Sequence, residues 1–247
     1  MKSEWRMAAL GGFGGALVAV VVVFGAAALG LLPSRVNEAA FRDYLMAHPD
    51  IVVAMTNKLQ SEQDDAEDAA RQHAVDKLGL KVFFDPRFAF ITGPANAKRT
   101  LVEFFDYNCP YCRQSIPAMM KFYSKHKADT RFAFIEFPIK GPQSTLAARV
   151  ALAARKQPDK YVAFHFALMS EDGLADQNTI MAAAQRSGLD MTKLQQDMRA
   201  PEVDYAIAAS HTLADAAKID GTPVFIVDGK IREGAVDDAI LAEMAKG

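Results

Sequence analysis

"FFDYNCPYCRQ", residues 104–114, holds Cys109 and Cys112, and the 247-residue chain has no other cysteine. The run before it, "RTLVEFFDY" (99–107), has the unbroken apolar character of a buried strand. The run after it, "CRQSIPAMMKFYSKH" (112–126), reads as a helix with Pro117 inside, where a kink is expected. A cysteine at the junction meets unpaired backbone N–H groups and the positive end of the helix dipole. Its pKa falls there, and the thiolate is the form that attacks disulfides. Pro110 suits the first helical turn, where its missing N–H is not needed. Cys112 lies one turn on and can attack a mixed disulfide formed at Cys109.

Two other uses of the pair fit less well. Structural zinc takes four ligands, and His48, His73, His126, His165 and His211 are scattered without ligand spacing. A purely structural disulfide would close a very short loop, which constrains the unfolded chain least. A redox-active pair is therefore expected, with no metal and no cofactor.

The rest of the chain sets the context. Half of it is hydrophobic (51%) and the net charge is -2, so nothing points to a nucleic-acid partner. Lys2 and Arg6 precede a run without charge from 7 to 34, long enough to span a bilayer as a helix. Ala26, Ala27 and Ala28 also offer a signal-peptidase site, although Leu29, Leu31 and Leu32 prolong the apolar run. Either reading exports the remainder to an oxidising compartment. Residues 35–80 follow as a polar helical arm, broken or restarted at Pro49, with a thin apolar stripe through Val52, Met55 and Leu59. So narrow a stripe makes no core alone and suits self-association.

Residues 81–94 are β-rich, with a turn at Asp85 and Pro86. Residues 131–139 alternate as a strand. The Ala-rich stretch 143–217 is helical, with breaks near Pro158, Gly173, Gly188 and Pro201. "TPVFIVDGKIREG" (222–234) reads as a hairpin turning at Asp228 and Gly229, and a closing helix opens at Asp237 and Asp238.

"LVEFFDYNCPYCR" together with "DGTPVFIVDG" resembles the DsbA-like thioredoxin-fold oxidoreductases, most closely DsbG/ScsC-like periplasmic proteins with an N-terminal oligomerisation arm. The resemblance implies an α/β, thioredoxin-like fold with an inserted helical domain, preceded by an N-terminal membrane segment and a helical arm. The expected bounds are 1–34 (anchor or signal peptide), 35–80 (arm), 81–141 (first half of the fold), 142–217 (insertion) and 218–247 (second half).

It also implies roles. Pro223 matches the family's cis-proline, and Thr222 the residue before it that tunes reactivity and substrate release. Pro110 and Tyr111 fall on the substrate side. Glu103 matches a buried carboxylate that passes protons to the resolving thiol. Tyr111 stands where the strongest oxidants have histidine, which leaves the direction of electron flow open. Tyr107 and Asn108 read as groove-lining or neutral.

The implied function is periplasmic thiol-disulfide oxidoreductase, leaning to isomerase or reductase. A DsbA-type oxidase and a copper-binding stress protein are the alternatives. The implied partners are exported proteins with cysteines and a DsbB- or DsbD-like membrane redox partner. The inner membrane is met through the N-terminal segment, and copies of the chain meet through 35–80.

Overall fold

A computed structural model describes residues 38–246. The expected membrane segment, 1–34, lies outside them. Among the described residues no helix is long and apolar enough to cross a membrane. The chain divides into two units, one ending at Gln63 and one beginning at Asp64.

In the first unit, α1 (Glu38–Ala47) has no buried residue. Helix α2 (Pro49–Leu78) restarts at Pro49, with Asp50 in its first turn. The large apolar side chains here, Phe41, Tyr44, Met46, Val52, Val53, Met55 and Leu59, are all exposed.

The second unit opens with the second half of α2, which ends before Gly79 (φ 72). A 3-10 turn (Leu80–Phe84), β1 (Ala89–Thr92) and β2 (Arg99–Phe105) follow. Then come α3 (Pro110–His126), β3 (Thr130–Glu136), α4 (Pro142–Ala154) and α5 (Pro158–Met169). The chain closes with α6 (Gln177–Arg186), α7 (Met191–Asp197), α8 (Pro201–Ala216), β4 (Val224–Val227), β5 (Lys230–Glu233) and α9 (Asp238–Met244). The sheet order is β1-β3-β2-β4-β5. Among the described residues only β2 and β3 run parallel; the other pairs are antiparallel.

Residues 81–84, expected as β, form the 3-10 turn instead. Both Phe83 and Phe84 are buried, and adjacent residues of a strand would face opposite ways. Prolines open α3, α4, α5 and α8 at their first turns, and Asp176, Asp190 and Asp237 cap α6, α7 and α9. The hairpin turns at Asp228 and Gly229, both with positive φ (50 and 91), as a two-residue primed turn requires.

Two cores flank the sheet. On one face Leu101, Phe105, Phe132, Phe134 and Phe225 pack against α3 and the inserted helices. On the other Val102, Phe104, Ile135 and Ile226 meet Val75 of α2, Phe83 and Val203 of α8. Alternation along β2 therefore decides which side chains lie beneath α3, and Glu103 is one of them.

Candidate active site

The chain leaves β2 at Phe105 and enters α3 at Pro110, so four residues, Asp106 to Cys109, shape the site. The Asp106 carboxylate is buried and accepts three backbone N–H groups, from Asn108 at 2.7 Å, Ile139 at 2.7 Å and Lys140 at 2.8 Å. It ties the ends of the two parallel strands together. Cys109 is the N-cap of α3, with extended backbone (φ -83, ψ 120).

The two sulfurs have opposite surroundings. The Cys109 thiol is pulled down to about 5, first by a hydrogen bond from Cys112, with the Cys112 and Tyr111 backbone N–H groups helping against the opposing effect of burial. The Cys112 thiol is pushed far up by burial and by its neighbour Cys109. Both cysteines are free and buried. Cys109 is 1% exposed, and its Sγ donates to the Thr222 carbonyl at 3.0 Å. The Thr222–Pro223 peptide is cis. Pro110 stands at the surface and Tyr111 is 60% exposed beside the pair.

Glu103 lies fully buried on the α3 face of β2, between Phe134 and Phe225 on the flanking strands. Neither carboxyl oxygen has a hydrogen-bond partner among the described residues, and burial pushes its pKa up to about 8. Its charge acts on Cys112. Six of the seven residues singled out from sequence thus surround one sulfur atom or its helix turn, and Glu103 lies beneath them.

Other groups escaped the sequence. Tyr107, read as groove-lining or neutral, is buried, and its hydroxyl lies 3.2 Å from Nδ1 of the equally buried His165. Tyr161 donates to Glu136 at 3.2 Å, again within the core. Arg113 donates through Nε to the Tyr107 carbonyl at 2.9 Å and through Nη1 to that of Glu171. Asn108 accepts from the Ala175 N–H at 2.7 Å, so the α5–α6 loop is held beside the CxxC turn. Only Asp106 left a trace in sequence, as an Asx-turn pattern with Asn108 two residues on. The rest depend on tertiary contacts, reaching across as many as 67 residues in the case of Asn108 and Ala175. Met119 joins the core whereas Met120 is exposed, and His211 is half-buried with its ring 4.9 Å from Phe137.

Among the described residues no group of three or more His, Cys, Asp or Glu side chains stands ready for a metal ion. A hollow between α3 and α9, lined by Arg99, Lys125 and His126, does not include the cysteines. Disulfide exchange needs access to a sulfur atom, not an enclosed cavity.

The profile of the DSBA-like thioredoxin domain matches residues 100–244. A thioredoxin-like oxidoreductase from Silicibacter pomeroyi DSS-3 is 41% identical, over 66% of this chain and 93% of that one, with a TM-score of 0.61. ScsC of Proteus mirabilis, in a transitional conformation, is 28% identical over 85% of this chain and 93% of its own, with a TM-score of 0.63. The Na(+)/H(+) antiporter NhaA 1 of Salinispora arenicola (strain CNS-205) is 28% identical over 160 residues, 64% of this chain. The chain spans about a quarter (24%) of that protein's length. With an acidified thiol at a helix N-terminus, a second thiol behind it and this match over more than half its length, the chain belongs to the DSBA-like thioredoxin domain family of thiol-disulfide oxidoreductases.

Proposed function

We propose that this protein exchanges disulfides with cysteines of exported proteins in the periplasm, with Cys109 as nucleophile and Cys112 as resolving thiol, and that it works chiefly as an isomerase or reductase. The observation that carries the chemistry is the asymmetry of the two sulfurs, Cys109 held near 5 and Cys112 pushed far up. At neutral pH Cys109 is a thiolate and Cys112 keeps its proton. The Cys109 thiolate attacks a substrate disulfide, one substrate sulfur leaves with the electron pair, and a mixed disulfide forms. Cys112 loses its proton to Glu103 in the fraction of molecules where that group is ionised, then attacks Cys109 and releases the reduced substrate. Thr222 and Pro223 present backbone to the substrate strand, with Pro110 and Tyr111 on the same side.

The periplasmic assignment is supported by the apolar run 7–34 behind Lys2 and Arg6, as inner-membrane anchor or cleaved signal. A DsbB- or DsbD-like membrane protein would exchange electrons with the pair. The lean to isomerase is supported by the arm, whose exposed Phe41, Met46, Val53 and Leu59 suit contact with a second copy of the chain. One observation favours an oxidase instead. A thiol held near 5 stabilises the reduced form and makes the disulfide oxidising. The transport activity in the NhaA relative's name is not carried over.

Refolding of a scrambled disulfide substrate tests the reading. Cys109→Ala is expected to abolish activity, and Cys112→Ala to accumulate mixed disulfides with substrate. Full turnover by Cys109→Ala would refute it. A strongly oxidising Cys109–Cys112 potential without isomerase activity would select the oxidase.

A further inference from the structure

Within the core lies a histidine that the disulfide exchange does not use. His165 of α5 is fully buried, and desolvation holds it neutral, with its pKa down at about 3. A neutral imidazole has one N–H and one lone pair. Its Nδ1 meets the Tyr107 hydroxyl, while its Nε2 has no partner among the described residues. Glu103 is the complementary case, since both its oxygens are buried and unpartnered. Such orphans are costly and rare in a core.

The two orphans lie on the same side of the sheet, among the same aromatic rings. The His165 ring packs 4.6 Å from Phe105 and 5.0 Å from Phe134. Phe105 is two residues from Glu103 on the same face of β2, and Phe134 is its register partner on β3. The titratable groups around them are Cys112 from α3, Tyr107 from the loop, Glu136 from β3 and Tyr161 from α5. Asp106 and Arg155 act on Glu136 from further out, and β4 contributes the apolar Phe225.

We propose that His165 is a positioning residue for Glu103: Tyr107 donates to Nδ1 and so keeps the ring proton on Nε2, and that N–H hydrogen-bonds, directly or through one water, to the Glu103 carboxylate formed during exchange. This rests on the roles given above to Glu103 and the cysteines. When a substrate thiolate attacks Cys109 of the disulfide, the Cys109–Cys112 bond breaks and its electron pair goes to the Cys112 sulfur. That sulfur takes the proton of the Glu103 carboxyl. The carboxylate left behind is a buried charge, and the His165 N–H is the donor that makes it bearable until solvent returns a proton.

The test follows the reduction potential of the full chain against pH, where Glu103 gives a break. His165→Phe, an apolar replacement in an aromatic core, is expected to move that break up by about one pH unit, a tenfold change, because the carboxylate loses a charged hydrogen bond. His165→Gln, which keeps an amide N–H near the Nε2 position, is expected to restore it. In a Glu103→Gln background, His165→Phe should cause no further shift. Nitrogen-15 spectra of the wild-type chain should show His165 protonated at Nε2, and this measurement decides if the Phe variant does not fold. An unmoved break in folded His165→Phe, or a proton on Nδ1, overturns the inference. If Glu103→Gln itself keeps the break, the role of Glu103 falls and the inference with it. If the wild-type protein exchanges no disulfides, the functional reading has failed instead.

Discussion

At pH 7 the Cys109 sulfur carries a charge that an ordinary thiol would not, because Cys112 and two backbone N–H groups point at it. Alkylation of the reduced protein should therefore lose half its rate near pH 5, while Cys112 stays unreactive under native conditions. A single midpoint near 9, the ordinary thiol value, would contradict this. Glu103 runs the other way. Its folded pKa of about 8 lies above its ordinary 4.5. Below pH 4.5 the carboxyl is protonated in folded and unfolded chains alike and costs nothing. Between 4.5 and 8 only the unfolded chain gives up the proton, so stability falls as pH rises, and the loss is complete above 8. At pH 7 it amounts to about 3 kcal/mol. Glu103→Gln should accordingly raise the thermal midpoint at pH 7 but not at pH 4, while slowing resolution of mixed disulfides. Equal stabilisation at both values would mean that burial of the charge is not the cause. Residues of this kind were partly legible. The cysteines announce themselves by type and spacing, and Glu103 by its place in an apolar strand. Tyr107 and His165 do not, since a buried tyrosine and a surface one look alike until the opposing helix is in place.

Among the elements, the hairpin β4–β5 carries the most consequence for its size. Pro223 precedes β4 directly, and the Gly234 N–H returns to the Pro223 carbonyl at 2.9 Å. The turn is held from outside by one side chain of α2. Gln72 donates to the Gly229 carbonyl at 2.8 Å and accepts from the Ile231 N–H at 3.0 Å. Its amide pairs with an edge strand as another strand would. Gln72→Ala removes both bonds and should cost about 1–2 kcal/mol by thermal unfolding, with faster amide exchange at Ile231. An unchanged exchange rate would show that the turn stands without its clamp. The hairpin itself was readable from Asp-Gly between β-formers, and the helix starts from proline and aspartate. The 3-10 turn at 80–84 was not, because its two phenylalanines satisfy β propensity while the packing of Phe83 against Phe104 sets the geometry.

For the molecule as a whole, the open matter is association. The first unit, up to Gln63, exposes apolar side chains along α1 and α2 that no other residue within it buries. Sedimentation of residues 35–247 is expected to show an oligomer, and removal of residues up to 63 a monomer. A monomer in both cases would remove the support for an isomerase. Composition and a thin stripe were enough to suggest this arm, but not where it ends. Ala74 and Val75 are buried, so the last turns of α2 belong to the core of the second unit.

The 1% exposure of Cys109 has a consequence for client choice. A sulfur so recessed, beneath the Thr222 carbonyl, is met only by a thiol or disulfide that can be carried to it on a pliant length of chain. A flexible segment should therefore exchange with Cys109 faster than the same cysteine held in a rigid surface.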